Sequence, residues 1–369
     1  MTTVTAVAPG RVNLIGEHTD YNGGLCLPFA LPQVTSATVR RRSDEWLRIR
    51  STSFPDVWTG HLDDLAFDRR ERLPGWVRYV TGVLWAARED GWPLPGLDIV
   101  IESEIPLGSG LSSSAAVECA VAVAVGWQVD RPLDPGSRVP LAALCRRAET
   151  EYVGAPTGGL DQLASLLGRP EEALLIDFAD DSIKPVPLPL RAAGLLVLVT
   201  VTPTAHGLAD GEGGYAKRRE ECEAAAEVLG IPRLGLAWPE DLAKIGDDTL
   251  RARARHVLSE SGRVEDAVAA IGAGRWEELG RLLTASHTSL RDDFAVSTDE
   301  LDLAVDTAVA AGALGARLTG GGFGGSTIAL VHEDRVDDVR DAVDAAFADA
   351  GHPSPTHRLV WPSMGARLT

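Results

Sequence analysis

Residues 115–127 read AAVECAVAVAVGW, an almost wholly apolar run preceded by three serines. A helix that is apolar on nearly every side offers no face to water, so it must be buried among other elements. The chain must therefore build layers around it, and 369 residues leave room for two ordinary domains. This run and the apolar stretch 194–201 are both shorter than the ~20 residues that span a bilayer.

The rest of the pattern supplies those layers. Residues 34–39 and 46–50 alternate as strands do, and 97–102 read as another strand. A helix is expected from Pro140 to Tyr152, and residues 184–190 carry prolines at every second position. Proline removes a ladder donor, so that stretch suits an edge or a crossing segment, never a central strand or a helix. Beyond it come a strand at 195–201, an amphipathic helix at 215–229 and a largely helical region from Leu236 to Ser289. The last third runs helix (298–311), Gly-rich strand hairpin (316–332), helix (335–348) and strand (356–361). The expected picture is two α+β layers joined near residue 190, without an internal repeat.

Charge narrows the functional classes. A formal net charge of -18 argues against nucleic-acid binding, which needs clustered cations against phosphates. Lys184, Lys217 and Lys244 are the only lysines, so any phosphate chemistry must rest on arginine, backbone amides and metal. Cys26, Cys119, Cys145 and Cys222 form no CxxC pair and read as buried free thiols. The opening MTTVTAVAPGRVN has neither a basic region nor a long apolar one. A soluble cytoplasmic protein, with no membrane and no nucleic-acid partner, is the expectation.

Three segments exceed what folding alone requires. Gly10 to Gly24, GRVNLIGEHTDYNGG, crowds Arg11, Asn13, Glu17, His18, Asp20 and Asn22 into a short span. A polar turn explains Asn22-Gly23, but adjacent donors and acceptors in Glu-His-Thr-Asp suit a polyol better. Ile105 to Ala116, IPLGSGLSSSAA, places Gly108 and Gly110 just before the serines that open the buried helix. Free amides and the dipole at a helix start favour an anion, although a serine-capped helix after a turn is the plain structural account. Gly315 to Gly325, GARLTGGGFGG, formally satisfies G-x-G-x-x-G at Gly320, Gly322 and Gly325. A dinucleotide fingerprint must open a helix, and here the strand-like STIALV follows, so the fit is a tight turn brought close to a ligand.

These three segments, in this order, resemble the galactose/homoserine/mevalonate/phosphomevalonate (GHMP) kinase superfamily. The first narrows the resemblance to the galactokinase family almost letter for letter. GLDQL (159–163) and SHTSLRDDFAVSTDELD (286–302) extend it over nearly the whole chain. The resemblance implies an α+β two-domain GHMP-kinase fold, with a ribosomal-protein-S5-like N-terminal domain and a ferredoxin-like C-terminal domain. The active site would lie in the cleft between them. The expected division is 1–190, carrying the sugar motif, phosphate loop and catalytic aspartate, and 191–369, carrying the Gly-rich hairpin and closing helices.

The implied reaction transfers the γ-phosphate of MgATP to the C1 hydroxyl of D-galactose. Asp161 would accept the hydroxyl proton and Arg11 would partner its charge, since an adjacent cation favours an ionised carboxylate. Carried over by position, Glu17, His18, Thr19, Asp20, Gly158 and Tyr215 would contact the sugar. Gly108, Ser109, Gly110, Leu111, Ser112, Ser113 and Ser114 would wrap the triphosphate, Trp76 and Tyr79 would flank adenine, and Ser51 would add a minor contact. Ser114 and Glu149 would hold Mg²⁺, a hydroxyl plus a carboxylate being a hard oxygen set. From the residues alone, Glu149 reads as a solvated helix carboxylate, and Trp76 and Tyr79 read as core aromatics at helical spacing.

The base element reads Gly-Gly-Leu-Asp where many family members have Gly-Ile-Met-Asp, and the glycine-rich stretch 202–214 departs from the common form. Two alternatives stay open: a kinase of a related sugar such as N-acetylgalactosamine, or a galactose- and ATP-binding sensor-regulator of the same fold. A complete phosphate loop and the presence of Asp161 favour an enzyme, and a monomer is expected.

Overall fold

The computed structural model describes residues 2–203 and 214–369, so most of the glycine-rich stretch 202–214 lies outside the described residues. The first half begins with strands β1 (Thr3–Asn13), β2 (Leu25–Cys26), β3 (Pro28–Arg41), β4 (Trp46–Ser51), β5 (Phe54–His61) and β6 (Leu97–Ser103). Helix α1 (Gly75–Glu89) precedes β6, and α2 (Ser113–Gln128), α3 (Arg138–Arg147) and α4 (Leu160–Leu167) follow it. Strands β7 (Glu172–Asp177) and β8 (Ser182–Pro187) complete this half. The second half runs β9 (Leu195–Val201), α5 (Gly214–Leu229), α6 (Asp248–Gly272), α7 (Trp276–Asp292) and α8 (Asp299–Ala310). It continues with β10 (Gly315–Thr319), β11 (Ser326–His332), α9 (Val336–Asp349), β12 (Thr356–Val360) and β13 (Arg367–Leu368).

Three sheets organise these strands. The six-stranded sheet has the order β13-β1-β3-β6-β4-β5, antiparallel except for the β4/β6 pair. Its last strand comes from the far end of the chain, where Leu368 pairs with Ala6. The four-stranded sheet is β10-β11-β9-β12, and β2-β7-β8 form the third. Strand β8 takes the edge of that small sheet, as Pro185 and Pro187 require.

The apolar run is α2, and Ala115, Ala116 and every residue from Glu118 to Gly126 are buried. It packs on β1 and β3 and is enclosed by α1, α3 and α4. A second core joins the two halves, because Val12, Phe29 and Leu111 cluster with Val197, Val264, Leu283 and Ile328. A third lies between the four-stranded sheet and helices α8 and α9.

The helix expected from Pro140 to Tyr152 divides. After Arg147, at the end of α3, residues Ala148–Val153 widen into a π-helical turn. Such turns displace side chains from the regular helical ladder and recur at functional sites. Glu149 lies on this turn and is buried, so it is not the solvated helix carboxylate that its residue type allowed.

Candidate active site

Strand β1 brings Arg11 to the centre. Its register against β3 breaks between Pro9 and Arg11, and such irregularities re-aim a side chain. The Arg11 amide donates to the Leu111 carbonyl at 3.2 Å, while its guanidinium donates to the Gly110 carbonyl at 2.6 Å and to Asp161 Oδ1 at 2.7 Å. Asp161 stands in the first turn of α4, behind Gly159 with φ +104°. Its second oxygen accepts the Ser112 hydroxyl at 2.6 Å. The first motif, the serine loop and the aspartate element therefore meet at one point. Burial works against the Arg11 charge, but Asp161, Glu17 and Asp20 outweigh it and leave the guanidinium pKa raised.

On one side of this junction lies a cavity of about 330 Å³. Gly108, Gly110, Ser112, Ser113 and Ser114 line it at the α2 start, where free amides point outward. Ser51, Trp76 and Tyr79 line it from the far side. Phe54 also lines it and stacks on Trp76 with centroids 5.1 Å apart and planes 8° apart. An aromatic on an edge strand carried no signal for that role in the sequence. Ser109 and Leu111 turn away from the cavity. Ser109 is buried against Pro106 and Ser326, and Leu111 joins the apolar core. The roof is the Gly-rich hairpin between β10 and β11. A Cβ on Gly320 would stand 3.1 Å from the Gly110 carbonyl, with φ at +86°, so glycine is required where hairpin and serine loop touch.

A smaller cavity of about 70 Å³ opens on the other side. It shares Arg11, Asp161 and Gly321 with its neighbour, and adds Glu17, His18, Asp20 and Tyr215. Burial pushes the Asp20 carboxyl up to about 6, with Asp161 and Glu17 adding to the rise. Burial pulls the His18 imidazole down to about 3, helped by His256 and Arg317, so the ring is neutral. His18 Nδ1 lies 3.0 Å from the Tyr21 hydroxyl, and its ring is 5.5 Å from that of Tyr215.

Two expected sugar contacts are placed elsewhere. Thr19 is fully buried, its hydroxyl donating to the carbonyls of Gly16 and Leu25 at 2.8 and 2.7 Å. It shapes the loop from beneath and does not line the cavity. Gly158 backs onto Asp20 from a neighbouring concavity, and a Cβ there would collide with the Asp20 carboxylate.

The loop is held by residues with no motif signal of their own. Glu260 of α6, fully buried, accepts the Gly16 amide at 3.0 Å, the Glu17 amide at 3.4 Å and the Ser286 hydroxyl at 2.6 Å. Burial opposes its charge, yet Arg263, His256 and Arg317 hold its carboxyl down to about 2. One helical turn earlier, His256 Nε2 donates to the Glu17 carbonyl at 3.1 Å, and Nδ1 meets Ser289 at 2.9 Å. Ser286, His287 and Ser289 belong to the 286–302 segment matched above. They serve as scaffold: His287 Nδ1 accepts the Leu318 amide at 3.3 Å.

Behind the serine loop lies a buried, hydrogen-bonded cluster of oxygen-bearing side chains. The Glu149 carboxylate accepts hydrogen bonds from Ser114, Thr157 at 2.9 Å and Gln162 at 2.7 Å. The same Gln162 amide reaches Glu118 at 3.0 Å. Burial raises the pKa of both acids, with each other or Asp161 as the next cause. Buried carboxylates in this state gain from a cation. Among the described residues no cluster of three or more His, Cys, Asp or Glu could hold a metal alone. Two protein oxygens beside a phosphate site is instead the sparse donor set that Mg²⁺ uses, the remainder coming from phosphate and water. Ser114 and Glu149 fit that requirement.

Residues 2–41 match the galactokinase galactose-binding signature, residues 78–169 the GHMP kinases N terminal domain, and residues 267–349 the GHMP kinases C terminal domain. The galactokinase of Mycobacterium bovis is 45% identical over 99% of this chain and 99% of its own. That of Streptomyces coelicolor is 45% identical over 98% of this chain and 92% of its own. The structure of Lactococcus lactis galactokinase complexed with galactose superposes with a TM-score of 0.92 at 34% identity, over 99% of this chain and 95% of that one. A mevalonate kinase structure, at 18% identity and a TM-score of 0.71, shares the fold alone. With sequence and fold matched from end to end, this chain belongs to the galactokinase family of the GHMP kinases.

Proposed function

We propose that the chain is an ATP-dependent sugar 1-kinase, transferring the γ-phosphoryl group of MgATP to the anomeric hydroxyl of D-galactose to give galactose 1-phosphate and ADP. The observation that carries this reading is the Arg11–Asp161 pair, which stands where the two cavities meet. One cavity is built from helix-start amides and glycines, suited to phosphate. The other is lined by carboxylates, a neutral imidazole and a phenol, suited to hydroxyl groups.

In this reading Asp161 accepts the proton of the attacking hydroxyl. Arg11 and Ser112 fix both carboxylate oxygens, so the base is oriented before substrate arrives. Arg11 also faces the transferring group and offsets its charge. Gly108, Gly110 and Ser112 to Ser114 cradle the phosphates, while Trp76 and Tyr79, with Phe54 stacked on Trp76, flank the adenine and Ser51 adds a minor contact. Ser114 and Glu149 would hold Mg²⁺, which when bound neutralises charge on the β- and γ-phosphate oxygens. Glu17, His18, Asp20 and Tyr215 bind the sugar hydroxyls, with Gly158 giving Asp20 its room.

We divide the chain at residue 190, supported by the way β9 to β12 form their own sheet, with β13 crossing back to the first. We place the protein in the cytoplasm as a monomer. Four free buried cysteines support the first. Among the described residues no helix is long and apolar enough to cross a membrane.

The test is ADP release across a panel of monosaccharides, with the product identified by phosphorus NMR. Galactose-dependent turnover with phosphate on C1 is expected. Phosphate on O6, or equal turnover without sugar, would overturn the reading.

A further inference from the structure

Arg317 is the largest fully buried side chain among the described residues, and no step above uses it. It lies on β10, paired with Ile328 of β11. Its Nη1 donates to the Leu14 carbonyl at 3.0 Å, and its Nη2 lies 3.2 Å from Glu17 Oε1. Its Nε and Nη2 have no hydrogen-bond partner among the described residues, so the contact with Glu17 is an ion pair. A cation removed from water is retained only where a carboxylate compensates it. Glu260 is close enough to feel Arg317, but it is paired with Arg263 at 2.7 Å. Glu17 is the carboxylate within ion-pair distance of Arg317 among the described residues.

The same Glu17 oxygen accepts the Thr319 hydroxyl at 3.1 Å and the Gly320 amide at 2.8 Å. Two hydrogen-bond donors, from Thr319 and Gly320, and the Arg317 charge thus converge on Oε1, while Oε2 takes part in none of these contacts. Glu17 also lines the smaller cavity. A purely structural ion pair would satisfy both oxygens inside the core, whereas this one anchors a single oxygen at a cavity wall.

We propose that Arg317 is a positioning residue for the sugar: it clamps one oxygen of Glu17 so that the other is presented to a sugar hydroxyl. This rests on the reading of Glu17 as a sugar ligand. The hairpin that walls the nucleotide cavity thereby also sets the geometry of the sugar cavity. Lysine does not replace this role, because one ammonium cannot span the Leu14 carbonyl and Glu17 as a fork does.

The test uses Arg317→Met, Arg317→Lys, Glu17→Gln and the Arg317→Met/Glu17→Gln double variant of the full chain. Galactose affinity is measured by calorimetry, alongside kcat and both KM values. Arg317→Met is expected to weaken galactose roughly 10- to 100-fold, the size of losing one well-placed hydrogen bond from the sugar to a charged group. Its kcat and ATP KM should stay within about threefold, a split that a general loss of stability does not produce. Arg317→Lys should lose about fivefold, and Arg317→Met should change affinity by less than about twofold once Glu17 is already Gln. Wild-type galactose affinity in folded Arg317→Met overturns the inference. If that variant does not fold, Arg317→Lys decides, and unchanged galactose affinity in it overturns the inference too. Unchanged galactose affinity in Glu17→Gln would instead overturn the sugar-ligand reading beneath it.

Discussion

The two cavities meet at Arg11 and Asp161 but are built on opposite principles. The larger is shaped by backbone: a helix start, a serine loop and a glycine hairpin, with aromatics as one wall. The smaller is shaped by charged side chains, and those are held in turn by other buried side chains far along the chain. Glu260 is 244 residues from the Gly16 amide it accepts. Backbone sites tolerate change at single side chains because amides remain. A side-chain site fails when its supports fail, even if every ligand is intact.

The largest expected effect lies where the two cavities cannot be told apart. Asp161→Asn keeps the shape of the base and removes its proton-accepting charge. We expect kcat to fall by roughly 10²-fold or more, with galactose and ATP still bound. Steady-state kinetics with calorimetry for each substrate checks this. A kcat within about threefold of wild type would make Asp161 a structural residue.

The second separates the cavities. Glu260→Gln leaves Arg263 without its carboxylate and weakens the bonds to the Gly16 and Glu17 amides. Breaking a buried pair from one side costs about 3–5 kcal/mol of stability, so a clearly lowered Tm is expected. Galactose affinity should drop by about tenfold in the remaining folded protein, because the loop carrying Glu17 and His18 loosens. ATP affinity should hold within about twofold, since the serine loop makes no contact with Glu260. An equal loss for both substrates would break the contrast.

That contrast also explains what could be read in advance. The serine loop, Arg11 and Asp161 were legible because their chemistry is compressed into contiguous motifs. The α2 helix was legible because no other packing suits an apolar run, and β8 because proline excludes the centre of a sheet. Glu260 and His256 were not, since on paper they are polar residues of an ordinary helix, and Arg317 lies in the Gly-rich segment without any sign of its own role. Only the tertiary fold removes them from water. Within Glu-His-Thr-Asp the sequence does not show that the Thr19 hydroxyl bonds to the loop's own carbonyls. Nor does it show that the turn sends the side chains of Ser109 and Leu111 inward while their backbone stays in the loop. Glu149 was ambiguous because a helical pattern does not announce the π-turn that buries it.

Protonation provides a third, milder test on the sugar side. The Asp20 carboxyl sits at about 6 in the folded protein against an ordinary 3.8, with burial as the main cause. The folded state therefore holds a proton that the unfolded chain has released between those values. Asp20's contribution to stability is full below the ordinary value and is lost as pH rises through about 6. Sugar affinity moves the other way, because the ionised carboxylate is the better acceptor for hydroxyl groups. Galactose affinity, measured without nucleotide, should weaken below pH 6 by up to about tenfold per unit. His18 and His256, held at about 3 and about 4, do not titrate in that range. Asp20→Asn should flatten the profile, and an unchanged slope in that variant would assign the proton elsewhere.

The smallest effect is expected on the nucleotide side, and its smallness is the point. Trp76 and Phe54 stack in parallel at 5.1 Å, presenting an aromatic wall to the larger cavity together with Tyr79. Trp76→Ala removes one face of that wall, and an aromatic stack is worth about 0.5–1.5 kcal/mol beyond its buried area. The helix-start amides and hairpin glycines are untouched, so most of the phosphate grip survives. ATP KM should rise about three- to tenfold, with galactose affinity and kcat nearly unchanged. Phe54→Ala, which removes the ring stacked on Trp76 and leaves the indole in place, should show a smaller rise in the same parameter. A Trp76→Ala loss as large as that of Asp161→Asn would mean that the nucleotide cavity, too, depends on single side chains. The contrast between a backbone-built and a side-chain-built half-site would then fail.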